Sequence, residues 1–196
     1  MLPIMLFEPY KLSINVWAFQ AAKAVASPAL NTIMNWLAPS FLVVLPLLAI
    51  YMLLKRDMNV YSFVILGILL YVVSDTIKLI VGEHRPCHVS ITGLTWINHP
   101  FVCESTFSFP SNHASVLTGL TLFLKNYKYL RILYIIWLVL ILFGRVYLGV
   151  HYFTDVLAGV ALSLVIAYIV YRYRRQLNAF VDKIVSRIIN LHLVQK

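Results

Sequence analysis

No Asp, Glu, Lys or Arg occurs between Lys23 and Lys55, and nothing constrains this chain more. The most apolar part of that stretch, Trp36 to Leu54, is long enough to cross a bilayer, which takes about 20 apolar residues. Pro39 and Pro46 fall inside it and would kink it, as lipid-embedded helices tolerate. Further apolar runs cover Asn59 to Val81, Tyr129 to Tyr147 and Tyr152 to Tyr171. Another, His113 to Lys125, is short unless it continues back toward the membrane surface. With 61% hydrophobic and 12% charged residues and a mean hydropathy of +0.84, most of the surface must lie in lipid. The expected fold is therefore all-α: a polytopic transmembrane helix bundle of five spans in a single domain, residues 1–196.

Residues 1–29 mix Glu8, Lys11, Asn15, Gln20 and Lys23 with Trp17, Phe19 and alanines. That mixture suits a helix lying in the membrane interface, although a poor extra span, giving six, is the alternative. No basic segment precedes an apolar core there, so a cleaved signal peptide is not expected. The net charge of +9 does not imply nucleic acid, because the basic residues cluster at the ends of apolar runs. Lys55 and Arg56, then Lys125, Lys128 and Arg131, then Arg172, Arg174 and Arg175 occupy alternate turns of a five-span topology. The positive-inside rule makes that side cytoplasmic. Residues 176–196, with Lys183 and Arg187, then read as an amphipathic tail on the inner leaflet.

The opposite ends of the spans carry the chemistry. His151 and Asp155 lie four residues apart, one face of a helix, so the carboxylate can orient one imidazole nitrogen while the other meets a reacting atom. The plainer reading is a helix-start Asp beside an interfacial His. Lys78 and Arg85 close the second span in KLIVGEHRP, Ser111 and His113 open the third in FPSNHAS, and Arg145 closes the fourth. Paired guanidinium donors suit Arg85 and Arg145 to a phosphate, and a helix N-terminus at residues 111–113 is a natural anion site. Snorkelling toward the headgroups is the alternative for each basic residue. Cys87 and Cys103 share one outer-side loop and are disulfide candidates, closure of which would stabilise by roughly 3 kcal/mol. Free thiols, or metal ligation with His88 or His99, are the alternatives.

These three stretches, in this order, resemble the signature K-x6-RP, PSGH and SR-x5-H-x3-D of the type-2 phosphatidic acid phosphatase superfamily. Lys78, Arg85 and Pro86 meet the first; Pro110, Ser111 and His113 meet the second, with Asn112 in place of glycine; Arg145, His151 and Asp155 meet the third, with Gly144 in place of serine. The resemblance implies a phosphatase needing no metal or other cofactor. In it Lys78, Arg85, Ser111, Asn112 and Arg145 bind phosphate, His151 is the nucleophile oriented by Asp155, and His113 is the acid that protonates the leaving group. The implied substrate is a lipid phosphate at the outer face of the cell membrane. A polyprenyl diphosphate comes first, with phosphatidylglycerol phosphate, phosphatidate or a lipid-to-acceptor phosphotransfer as alternatives. The substrate and the bilayer are the only partners implied; protein partners are left open.

Overall fold

The computed structural model describes residues 12–89 and 103–194, with side chains as far as Arg187. Expectations placed on Glu8, Lys11 and His99 lie outside the described residues. All secondary structure among the described residues is helical: α1 (Ser13–Ala24), α2 (Pro28–Leu37), α3 (Phe41–Leu54), α4 (Asn59–Val81), α5 (Asn112–Leu120), α6 (Lys128–Tyr147), α7 (Phe153–Arg172) and α8 (Arg174–Val194).

Among the described residues, four helical stretches are long and apolar enough to cross a membrane: Pro28–Leu54, Asn59–His88, Lys128–Tyr147 and Phe153–Arg172. The first begins earlier than the expected Trp36, because Ser27 caps α2 by accepting from the Leu30 amide and Pro28 starts the helix without an orphan N–H. Within it the turn Ala38–Ser40 is 3-10, where Pro39 removes an N–H from the ladder, and α3 resumes at Phe41. The expected third span is the short α5 followed by a 3-10 turn, Thr121–Leu124. Its nine α-helical residues rise about 14 Å, so it does not span a roughly 30 Å hydrocarbon core by itself. It does not continue backward because Ser111, its N-cap, has extended backbone and follows Pro110.

α5 is the axis of the bundle. It packs most extensively on α7 and α4, with Ala114, Leu117 and Leu120 fully buried. The approach to α7 is close enough to require glycine: a Cβ on Gly159 would come within 2.7 Å of both Ala114 Cβ and the Ser111 carbonyl oxygen. Without a hydrophobic drive between helices in lipid, such small-residue contacts are what hold them together. Outward faces stay apolar, with Leu54, Leu79, Ile80 and Tyr168 exposed.

The two ends of the bundle differ. At one, the basic turns gather: Tyr127 Oη donates to Asp57 Oδ2 at 2.9 Å, and Lys125 and Arg174 both sit over the Tyr171 ring. α8 is joined there to α4 through Asn178, which accepts from the Ser62 amide at 3.1 Å. At the other end α1, too short to cross, lies against α6 and α7, where Asn15 exchanges two 3.1 Å hydrogen bonds with Thr154.

Gly159→Val should lower the melting temperature in detergent, overpacking typically costing about 1–3 kcal/mol, and should displace Ser111. Gly67→Ala, where a new Cβ meets nothing within 4 Å, should leave it unchanged; equal effects at both positions would remove the packing argument.

Candidate active site

α4 ends at Gly82, whose left-handed φ of 67° turns the chain away from the helix axis. Arg85 therefore lies beyond the helix that carries Lys78. The Lys78 ammonium, 3% exposed, donates to the carbonyl oxygens of Phe107 (3.0 Å), Ser108 (3.0 Å) and Pro110 (2.7 Å). An ammonium has three N–H bonds, and all three are used here. Lys78 therefore holds the 107–110 backbone and has no donor free for a phosphate, a departure from its expected place in the cradle.

The loop so held brings in residues that the sequence reading missed. Ser108 Oγ donates to Asp155 Oδ2 at 2.5 Å, and the same oxygen accepts from the Tyr152 amide at 2.9 Å and faces His151 Nδ1 at 3.3 Å. Arg85 is fixed by Thr106, its Nε donating to the backbone oxygen at 2.8 Å and one terminal nitrogen to Oγ1 at 2.9 Å. Its other terminal nitrogen donates to Val150 O and faces His151 Nε2, each at 3.1 Å. The available signal was the density of Glu, Ser and Thr in CESTFS, just before the PSNH motif.

The tautomer of His151 follows from its neighbours. Arginine only donates, so Nε2 must be the acceptor and the proton sits on Nδ1, aimed at Asp155. Burial, then the positive charges of Arg145, Arg85 and Lys78, hold the His151 pKa well below the ordinary imidazole value. A neutral ring with an unprotonated Nε2 is what a nitrogen nucleophile requires.

Arg85 and Arg145 meet on a single carboxylate. Glu104 accepts from Arg85 on one oxygen and from Arg145 on the other, each at 2.7 Å. Burial alone would raise the Glu104 pKa, but Arg145 and Arg85 outweigh it and hold it below the ordinary carboxylate range. The loop is tied down by a disulfide between Cys87 and Cys103, and His88 Nε2 lies 3.0 Å from the Glu104 carbonyl oxygen. With the sulfurs bonded to each other, the alternative of metal ligation with His88 loses its thiolates.

His113 stands across the cleft, its Nε2 3.3 Å from the Ala38 carbonyl and its ring edge-on to Phe41. Ser111 is the N-cap of α5 and fully buried; its hydroxyl has no partner among the described residues. The two departures from the signature have structural settings. Asn112 donates to Asp75 Oδ1 at 2.9 Å, which turns its amide toward α4. A Cβ on Gly144 would meet Met34 Sδ at 3.2 Å, so that position faces α2. Beneath these residues a cavity of about 870 Å³ runs from His151, Arg85 and Arg145 past Asp75 and His113 to Ala49, Phe63 and Leu120. From Asp75 to Phe63 it follows roughly 18 Å of α4, between apolar walls from α3 and α4.

The sequence profile described as the PAP2 superfamily matches residues 58–179, which contain Lys78, Arg85, Glu104, Ser108, Ser111, His113, Arg145, His151 and Asp155. The chain belongs to the PAP2 superfamily. It is 32% identical over 186 residues to phosphatidylglycerophosphatase B of Bacillus subtilis, covering 84% of this chain and 85% of that one. It is 31% identical over 121 residues to undecaprenyl-diphosphatase of Sulfolobus acidocaldarius, covering 59% of this chain and only 55% of that protein. The crystal structure of the transmembrane PAP2 type phosphatidylglycerolphosphate phosphatase from Bacillus subtilis superposes with a TM-score of 0.64 at 27% identity, over 84% of this chain and 86% of that one. Aquifex aeolicus LpxE shares the fold, with a TM-score of 0.68 at 23% identity over 84% of this chain and 98% of that one. Together these make the chain a multi-pass membrane member of a PAP2 lipid phosphatase family.

Ser108→Ala should lower turnover about tenfold or more with little change in substrate affinity, since a hydrogen bond to a charged group contributes roughly 1.5–3 kcal/mol. Wild-type turnover in that variant would show that Asp155 is oriented without it.

Proposed function

We propose that the protein hydrolyses a lipid phosphate through a phosphohistidine at His151. The observation that carries this is the convergence of two buried guanidiniums on one anion, beside the unprotonated Nε2 of His151, at the head of an apolar cavity. Arg85 and Arg145 hold the phosphoryl oxygens and offset the charge that develops on them. Nε2 attacks phosphorus, the P–N bond forms, and the bond to the lipid oxygen breaks. His113 gives that oxygen its proton. Water then attacks the phosphohistidine and returns a proton to His113; the P–N bond breaks and phosphate leaves. Asp155, braced by Ser108 and the Tyr152 amide, keeps the Nδ1 proton in place throughout. Lys78 contributes by fixing the loop and by its charge.

The leading substrate is a polyprenyl diphosphate, its tail lying in the apolar cavity between α3 and α4 and entering sideways from the bilayer. The likeness to an archaeal undecaprenyl-diphosphatase supports this reading. Phosphatidylglycerol phosphate is the second reading, favoured by the longer match to the Bacillus phosphatidylglycerophosphatase. We place the site on the outer face, since Lys55, Lys125 and Arg174 gather at the other end and such turns stay cytoplasmic. In this reading residues 1–196 are one domain, with 1–29 an interfacial segment and 176–196 a cytoplasmic tail.

Phosphate release from polyprenyl diphosphates, phosphatidylglycerol phosphate, phosphatidate and a sugar phosphate should be lipid-dependent and unaffected by chelators. It should fall by several orders of magnitude in His151→Ala. More than about a tenth of wild-type activity in that variant would remove His151 as the nucleophile, and phosphate appearing only with an added acceptor would make the reaction a transfer.

Topology has its own test. Single cysteines at Ser105 and at Asn126, both exposed, can be labelled on intact cells with an impermeant thiol reagent, the native pair being bonded and silent. Ser105→Cys should label and Asn126→Cys should not; the reverse pattern would put the site on the cytoplasmic face.

A further inference from the structure

The group that fills the phosphate cradle belongs to the protein itself. We infer that Glu104 is the resident anion of the Arg85–Arg145 pair and a specificity-determining residue: a ligand enters the cradle only by exchanging with its carboxylate. The inference rests on the reading of those arginines as the phosphate cradle.

The geometry is that of a phosphate surrogate. Each arginine binds a different oxygen of the carboxylate at 2.7 Å, as two guanidiniums would share two phosphoryl oxygens. The arginine side chains are 1% and 5% exposed, whereas that of Glu104 is 44% exposed, so the carboxylate reaches in from the open side. Arg85 is also pinned by Thr106 and Val150, which leaves the acid as the partner able to withdraw. Its backbone cannot go far, being next to the Cys87–Cys103 bond and in contact with His88. The carboxylate therefore competes at the high effective concentration of a tethered ligand. Without it, two buried cations would stand unpaired, which is strongly unfavourable.

The consequence is a threshold: the resident carboxylate weakens every anion by the same factor, which the stronger binding of a dianion survives and that of a monoanion does not. A terminal phosphate, on a monoester or at the end of a diphosphate, approaches as a dianion with three free oxygens and gains more from the two arginines than one carboxylate does. An ordinary phospholipid phosphodiester has a single negative charge and two free oxygens, no better than Glu104. The bulk lipids around the cavity are thus kept off the arginines, while lipids with a terminal phosphate are admitted.

The test uses the full chain in detergent, in a His151→Ala background that does not turn over, with orthophosphate and diethyl phosphate as probes in titration calorimetry. Replacing Glu104 by Gln keeps the shape and removes the charge. Orthophosphate should then bind about tenfold more tightly, as expected if the cradle is open about a tenth of the time in the parent. Diethyl phosphate, weakened by the same factor in the parent and so below detection there, should become a measurable ligand. The ligand-free melting temperature should fall in Glu104→Gln and be restored by phosphate, since the two anions are interchangeable. Glu104→Asp, which keeps the charge on a shorter stem, should give an intermediate affinity and serves if the glutamine variant is not recovered folded. Phosphate binding that is unchanged or weaker in both variants overturns the inference and leaves the catalytic reading standing. Absence of phosphate binding in every variant, the parent included, overturns both.

Discussion

The polar end of this bundle depends on the buried ammonium of Lys78. Residues 103–111 form irregular backbone at the edge of a membrane protein, where unsatisfied carbonyls are costly. Lys78 answers three of them at once, at Phe107, Ser108 and Pro110. That fixes Ser108 against Asp155 and Thr106 against Arg85, and it sets Ser111 at the start of α5 with its amide on the Asp155 carbonyl. A charge at the end of a span is here an organiser of loop structure, and the site's geometry follows from it.

Around that loop the charges balance in an order that chemistry can use. Arg85 and Arg145 are satisfied by Glu104, while Asp155 gathers the Ser108 hydroxyl, the Tyr152 amide and the Nδ1 proton of His151. The imidazole is left neutral among cations, its acceptor nitrogen facing the cradle. Preorganisation of this kind needs little rearrangement when an anion arrives, beyond the departure of one carboxylate. The departures from the family signature fit the same picture: Asn112 is drawn aside by Asp75, and Gly144 gives its place to the packing of α2.

The long helices were legible in the chain because hydrophobic runs bounded by charge are a strong, local signal. α4, α6 and α7 lie within a residue or two of the expected Asn59–Val81, Tyr129–Tyr147 and Tyr152–Tyr171. The first span was less well bounded, since Ser27 and Pro28 start it through a cap whose strength a hydropathy pattern does not register. The third was visible only as something too short, because what makes α5 viable is burial against α4 and α7 and not contact with lipid.

By itself the amino-acid order determined a multi-pass helical membrane protein, its family, and a list of polar residues brought to one end of the bundle. Those follow from composition and from motifs written in consecutive residues. Only the tertiary structure decided how the list divides: Lys78 on loop carbonyls, Asn112 on Asp75, and Arg85 with Arg145 on Glu104. Glu104, Thr106 and Ser108 entered the site on the same terms, from a loop without periodicity. The reason is that hydrogen-bond partners are chosen in space, across sequence separations of 19 to 47 residues in these contacts, where no local pattern can register them.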